Sequence, residues 1–182
     1  MILGILAAVV GTAASIPYIL SIRAGKTKPD KTSWLIWTAV GLLMFASYWS
    51  VGARDTVWIT LPVGIAAIAA FSLKYGVGGW SVFDRACALA AFAGLLLWWL
   101  SGLAITALAL AMVADIIGYF PTIKKTWDKP NSEDRLTWGM YLLAAVFNFL
   151  AINSWTPEIA IYPTYILVFN ALVFWLAVRK SR

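Results

Sequence analysis

Three polar side chains lie inside long apolar stretches of this chain, and they are Asp115, Asn148 and Asn170. An ionised aspartate at the centre of a membrane helix costs about 2.5 to 3.5 kcal/mol on insertion, so a deep carboxyl indicates a function. A buried carboxyl can carry a proton, and an amide can both donate to and accept from a ligand hydroxyl. The alternative for each residue is structural, because Asp115 can stay protonated and an asparagine can join neighbouring helices.

The composition is typical of an integral membrane protein. Of the 182 residues, 62% are hydrophobic, 12% are charged and 11 are tryptophan. The chain has no histidine and one cysteine, Cys87, which we expect to be a packing residue. These counts exclude His- or Cys-based metal sites, Ser-His-Asp triads, haem ligation and internal disulfides. We therefore expect no metal, no cofactor and no enzymatic activity.

Charged residues divide the chain into seven apolar segments. A hydrocarbon core of about 30 Å requires roughly 20 residues of helix. The predicted spans are 2–22, 33–51, 56–73, 86–100, 103–123, 136–153 and 159–178. The fourth is the shortest, and it either crosses a locally thinned bilayer or extends back as an interfacial segment.

The basic residues predict the orientation of these spans. With the N-terminus outside, Arg54 is the only one of the 14 Lys and Arg residues on the outer side. The positive-inside rule then places the C-terminus in the cytoplasm. The formal charge of +6 thus reflects membrane topology, and we expect no nucleic-acid partner. Expected partners are the lipid bilayer, a small solute and, as an option, a second copy of the chain, in a prokaryotic cytoplasmic membrane.

The two ends of the chain share a pattern at a constant spacing of 104 residues. Residues 17–37 align with residues 121–141, and Trp34 falls opposite Trp138. Because an odd helix lies between the copies, both enter the membrane from the same side and form parallel repeats. The predicted organisation is a triple-helix bundle at 1–75, a linker helix at 76–101 and a second triple-helix bundle at 102–182.

Each predicted repeat has a proline near the inner end of its first helix and another early in its third. A proline removes one N–H donor and clashes with the carbonyl four residues back, which costs about 3 kcal/mol in an ordinary helix. The weakened turn can act as a hinge at one mouth of a pore, or it can be a static kink that tightens packing. The candidate hinges or gates are Pro17, Pro121, Pro62 and Pro163.

This pattern resembles the SWEET and PQ-loop transporter superfamily. The resemblance covers the topology of the whole chain: seven spans in a 3+1+3 arrangement, an outside N-terminus, and matched prolines followed by basic loops. Where the PQ-loop pattern has Pro-Gln, this chain has Pro17-Tyr18 and Pro121-Thr122. The resemblance implies an all-α membrane fold of two triple-helix bundles and alternating-access transport at a site between them.

The resemblance also implies a binding site made of amides and aromatic faces. It nominates Asn170 on the last helix, and Asn148 lies at a similar predicted depth. The accompanying aromatic and apolar positions are Trp37, Tyr48, Tyr141 and Met44. For Asp115 it implies proton coupling, as in PQ-loop exporters of amino acids. The expected solute is a neutral polar metabolite, a sugar first and an amino acid, nucleoside-like or vitamin-type molecule next; the main alternative is a receptor, sorting or structural membrane protein on the same scaffold.

The segment before the sixth span has the pattern of a helix start. Ser132 is the predicted N-cap, with Glu133 and Asp134 in the first turn. We expect a purely structural role for this segment.

Overall fold

The computed structural model describes residues 2–50, 63–79, 81–101, 104–153, 155 and 157–179, with the backbone alone at 43–50, 94–95, 98, 101, 104–108 and 157–159. Within these ranges the protein is all-helical, as predicted, and contains no strand. The helices are α1 (Ile2–Ala13), α2 (Ser15–Arg23), α3 (Lys31–Ser50), α4 (Val63–Tyr75), α5 (Val82–Ser101), α6 (Ala104–Asp128), α7 (Arg135–Leu150) and α8 (Pro157–Val178).

Every predicted apolar segment contains one of these helices or a part of one. Helices α1 and α2 together cover the first segment, and α5 begins four residues before the predicted start of the fourth. Two helical stretches, Ile2–Arg23 and Ala160–Val178, are long and apolar enough to cross a membrane. The arrangement of seven spans in a 3+1+3 repeat stays a prediction.

The described prolines nominated as hinges all lie in helical backbone. Helices α1 and α2 meet at Ala14, three residues before Pro17, where the backbone angles stay helical at φ −60° and ψ −24° and the Ala14 N–H donates to the Val10 carbonyl at 3.0 Å. Pro121 lies within continuous α6 and Pro163 within continuous α8. Pro62 lies outside the described residues.

The two tryptophan-led helices begin with the same side-chain cap. At the start of α3, Asp30 Oδ1 accepts a hydrogen bond from the Ser33 N–H at 3.1 Å. At the start of α7, Asp134 Oδ1 accepts one from the Thr137 N–H at 2.8 Å. Such caps satisfy backbone donors that have no partner within the helix. The prediction of Ser132 as the cap is wrong, because Ser132 closes a short 3-10 turn and leaves Asp134, whose backbone is extended, at the helix start.

Each capped helix then buries its first tryptophan. Trp34 is 2% exposed and Trp138 is 1% exposed, and these two residues are 104 positions apart. The cap residue, the capped position and the tryptophan therefore recur together. The sequence repeat corresponds to a repeat of local structure at the starts of α3 and α7.

The packing of the chain defines two compact units. Unit 1 contains Met1–Lys28 and Ile123–Arg182, and unit 2 contains Pro29–Thr122. In unit 1, α1 packs against α7, and α7 packs against α8. In unit 2, α3 packs against α4 and α5. The predicted division at 1–75, 76–101 and 102–182 concerns sequence repeats and stays a prediction.

In unit 2 the loop between α4 and α5 is fixed to the start of α3. The Val77 N–H donates to the Pro29 carbonyl at 2.9 Å, and the Lys31 N–H donates to the Val77 carbonyl at 3.0 Å. Gly78 follows with φ +75°, and a Cβ there would lie 2.4 Å from Asp30 Oδ2. Both its backbone angle and the close carboxylate require glycine at this position.

Large apolar side chains are exposed on the surfaces of the described helices. More than half of the surface of each of the following residues is exposed: Ile2, Val9, Ile16, Leu89, Phe92, Trp99, Leu136, Leu150, Val168 and Trp175. Several polar side chains are buried instead, among them Ser33, Ser72, Thr122, Thr126, Glu133 and Asn170. Exposed apolar surface of this extent is typical of contact with another apolar phase or surface.

Candidate functional site

Unit 1 buries one of the two predicted amides. Asn170 lies on α8 and is 6% exposed. Its amide group can both donate a hydrogen bond to a ligand hydroxyl and accept one from it.

The second amide, Asn148, is half-buried on α7. It lies one helical turn after Ala144, so the two side chains share a face. Helix α1 approaches this face closely, because a Cβ built on Gly11 would lie 3.7 Å from Ala144 Cβ. Tyr141 is on the same stripe, and its ring centroid is 5.7 Å from that of Trp138 in an edge-on arrangement. Unit 1 thus places Tyr141 and Asn148 on the side of α7 that faces α1.

Trp37 is packed into unit 2 against α6. Its indole N–H donates to the carbonyl of Asp115 at 3.2 Å, and a Cβ on Gly118 would lie 2.7 Å from that nitrogen. The rings of Trp34 and Tyr119 meet it edge-on at 5.1 and 4.8 Å. Trp37 therefore contacts Asp115 through the backbone of Asp115, and most of its own surface is covered by protein.

The Asp115 side chain is half-buried on α6 in unit 2. Of the other nominated residues, Pro163 is buried in α8 in unit 1. The side chains of Met44 and Tyr48 lie outside what the structure describes. The structure therefore joins Trp37 to Asp115 in unit 2 and groups Tyr141 with Asn148 in unit 1.

The backbone after Pro121 is held by a hydroxyl from another helix. The Thr122 N–H donates to Ser33 Oγ at 3.1 Å, and the Thr122 hydroxyl donates to the same oxygen at 2.8 Å. Both residues are fully buried. A side chain of another helix thereby accepts from both the backbone N–H and the hydroxyl of the residue that follows the proline.

Glu133 forms a buried polar cluster that the sequence analysis missed. Its Oε2 accepts hydrogen bonds from the Tyr18 hydroxyl at 2.6 Å and from the Trp138 indole N–H at 2.8 Å. Its Oε1 pairs with Lys125 Nζ, and the side chain of Glu133 is 0% exposed. We refer to Tyr18, Lys125, Glu133 and Trp138 as the Glu133 cluster.

The ammonium group of the Glu133 cluster is also satisfied. Lys125 Nζ donates to the carbonyl of Lys28 at 2.5 Å in addition to its pairing with Glu133. Buried ion pairs are tolerated when hydrogen bonds complete the coordination of both charges. The cluster joins α2, the end of α6, the segment before α7 and α7 itself.

The alignment at the spacing of 104 residues does not by itself identify this cluster. Lys125 falls opposite Ser21 and Glu133 falls opposite Pro29, so two uncharged positions are replaced by opposite charges. Lys124 and Asp128 also fall opposite uncharged residues, so the pattern does not single out one pair.

Among the described residues, no group of three or more His, Cys, Asp or Glu side chains is arranged so that it could hold a metal ion. The polar groups are amides, hydroxyls and one satisfied ion pair. They suit hydrogen bonding to a neutral ligand. Comparisons of the chain with protein families, curated proteins and solved structures found no match.

Proposed function

We propose that the protein is an integral membrane transporter that moves a small polar solute by alternating access, on a SWEET-like fold of two parallel triple-helix repeats. The observation that carries this proposal is the recurrence of local structure at one spacing. Asp30 and Asp134 cap the two tryptophan-led helices with the same hydrogen bond, and each helix follows a proline at the same distance. Duplicated helical units of this kind are typical of secondary transporters.

Insertion in a membrane is supported by the surface and by two of the helices. The stretches Ile2–Arg23 and Ala160–Val178 meet the length and hydropathy of a span, and large apolar residues are exposed along the described helices. The proposed topology has an outside N-terminus, seven spans and a cytoplasmic C-terminus in a prokaryotic membrane.

A neutral polyhydroxylated solute, with a sugar as the first choice, is the proposed cargo. Asn170 supplies a buried amide, and Asn148 and Tyr141 share a second polar stripe. Amide and phenol groups bind hydroxyls, and aromatic faces pack against C–H surfaces of a sugar. Proton coupling through Asp115 is part of the proposal.

A receptor that captures a carboxylate is the second candidate, and a feature of unit 1 weighs against it. Such a receptor requires a buried cation that is free to bind. The side chain of Lys125 is 9% exposed, and Glu133 and the Lys28 carbonyl already occupy its ammonium group. Arg179, whose Nε is buried, already donates to the Trp127 carbonyl through another nitrogen and lies over the Trp127 ring. Transport of a neutral solute therefore fits these residues better.

Reconstituted full-length protein tests the proposal. Proteoliposomes are screened with labelled sugars, nucleosides and amino acids, with and without an imposed pH gradient. We expect uptake of one class that depends on the gradient, and we expect Asp115→Asn to abolish this dependence because an amide cannot exchange a proton. Asp128→Asn is the matched control, since Asp128 lies on the same helix with a side chain 58% exposed.

The outcomes separate the two parts of the proposal. Absence of uptake for every solute class contradicts transport. Uptake whose gradient dependence survives in Asp115→Asn contradicts proton coupling and leaves transport intact. For the solute site we expect Asn170→Ala to weaken uptake up to about tenfold, the effect of losing one hydrogen bond.

A further inference from the structure

We propose that the Glu133 cluster is a latch that holds α2 against the segment before α7, and that the protein opens at this contact by separating the Tyr18 hydroxyl from the Glu133 carboxylate. This inference rests on the proposed alternating access. It assigns the conformational step to a contact far from the amides of the proposed solute site.

The position of Tyr18 makes it the movable member of the cluster. Tyr18 lies on α2 directly after Pro17, which has no N–H to donate to the carbonyl of Ala13. Helix α1 packs along α7, whereas α2 meets α7 over a shorter stretch. A helix bends at a proline at lower cost than at a residue that keeps its hydrogen bond. Helix α2 can therefore swing while α1 keeps its packing.

The remaining donors make release of Tyr18 reversible. When the Tyr18 hydroxyl leaves, the Glu133 carboxylate still accepts from the Trp138 indole and pairs with Lys125. The buried charge is thus never without a partner, which would cost several kcal/mol. A hydrogen bond from a neutral hydroxyl to a charged acceptor is strong enough to favour closure and weak enough to break.

The contact of Tyr18 also joins parts of the chain that are far apart in sequence. The Tyr18 and Glu133 residues are 115 positions apart, and both side chains are buried. A bond within one helix would restrain only that helix. This bond restrains α2 against the segment that precedes α7, so breaking it is a tertiary event.

Thiol labelling of the full-length protein in lipid nanodiscs tests the latch. Cys87→Ser provides a background without cysteine, because Cys87 is the single cysteine of the chain. The first reporter is Ala14→Cys, one helical turn before Tyr18 and 0% exposed; the second is Ala91→Cys in unit 2, 1% exposed. A soluble maleimide then reports how often each position becomes accessible.

We expect Tyr18→Phe to accelerate labelling of Ala14→Cys by about tenfold or more, the population shift that corresponds to one lost hydrogen bond to a charged group. Labelling of Ala91→Cys should stay unchanged. Glu133→Gln should act in the same direction as Tyr18→Phe. The matched control is Ser21→Ala, which removes a hydroxyl of α2 that bonds Thr27 only six positions away, and it should leave both rates unchanged.

Two results would overturn the latch. One is an unchanged labelling rate of Ala14→Cys in Tyr18→Phe. The other is equal acceleration at Ala14→Cys and Ala91→Cys, which is the signature of general unfolding. Because no solute takes part in the assay, failure of the latch is distinguishable from failure of the transport proposal.

Discussion

The loops that follow Pro17 and Pro121 are held by different kinds of interaction at equivalent positions. In the first repeat, the hydroxyl groups of Ser21 and Thr27 share a hydrogen bond of 2.6 Å. In the second, the residue equivalent to Ser21 is Lys125, and it forms a buried ion pair with Glu133. One loop is therefore held by a neutral local bond and the other by a pair of charges.

The residues that follow the prolines differ in the opposite sense. Tyr18, after the first proline, donates to the carboxylate of Glu133, whereas Thr122, at the equivalent position after the second, donates to the neutral hydroxyl of Ser33. Hydrogen bonds to charged acceptors contribute about 1.5 to 3 kcal/mol, and those between neutral groups about 0.5 to 1.5 kcal/mol. The comparison indicates that the starts of α3 and α7 share a cap and a buried tryptophan, whereas the contacts that follow the two prolines differ in strength.

The largest expected effect tests the charged side of the comparison. Glu133→Ala leaves the Lys125 ammonium buried and unpaired, which we expect to destabilise the protein by roughly 3 to 5 kcal/mol. Pro29→Ala at the equivalent position of the first repeat is the matched control, and we expect a loss below about 1 kcal/mol because its carbonyl stays in place. Unfolding of the purified protein in mixed micelles at increasing SDS measures both. Equal losses for the two variants would break the comparison.

A second pair of variants measures the two closing contacts directly. Tyr18→Phe should cost about 1.5 to 3 kcal/mol, because it removes a donor to a carboxylate. Thr122→Val should cost less, about 0.5 to 1.5 kcal/mol, because the lost acceptor is neutral. The same unfolding assay ranks them. A larger loss for Thr122→Val would contradict the assignment of the stronger contact to Tyr18.

The smallest expected effect tests what the repeats have in common. Asp134→Ala removes the cap of α7 and should cost about 0.5 to 2 kcal/mol. Asp30→Ala removes the equivalent cap of α3 and should cost at least as much, because Asp30 is buried whereas Asp134 is half-buried. Asn at either position retains a capping oxygen and serves as the control. Caps that differ by several kcal/mol would show that the frame itself is not shared.

Much of the fold could be predicted from hydropathy. Long apolar segments between charged residues predicted the positions of the helices, because a helix that is apolar on every side can form only where the sequence has no charged residues. The pattern failed at the start of α7, where Ser132 and Asp134 are both good caps. The choice between them depends on the 3-10 turn at Pro130–Ser132, which sequence periodicity does not contain.

The candidate site was less accessible to sequence reasoning. Asn170 could be nominated because a polar residue in an apolar helix is conspicuous; the structure places it at 6% exposure, and its role stays a prediction. The Glu133 cluster could not be found in this way, because Glu133 lies among alternating charges that suit a solvated loop. Its burial depends on Tyr18, which reaches it from 115 positions away.

The bond between Ser33 and the backbone after Pro121 has an evolutionary consequence. One oxygen, Ser33 Oγ, accepts from both the N–H and the hydroxyl of Thr122, and both residues are fully buried. Replacement of Ser33 by alanine or valine would take this acceptor away from the buried Thr122 hydroxyl, which favours a second replacement at position 122. In descendants of this chain, positions 33 and 122 should therefore covary.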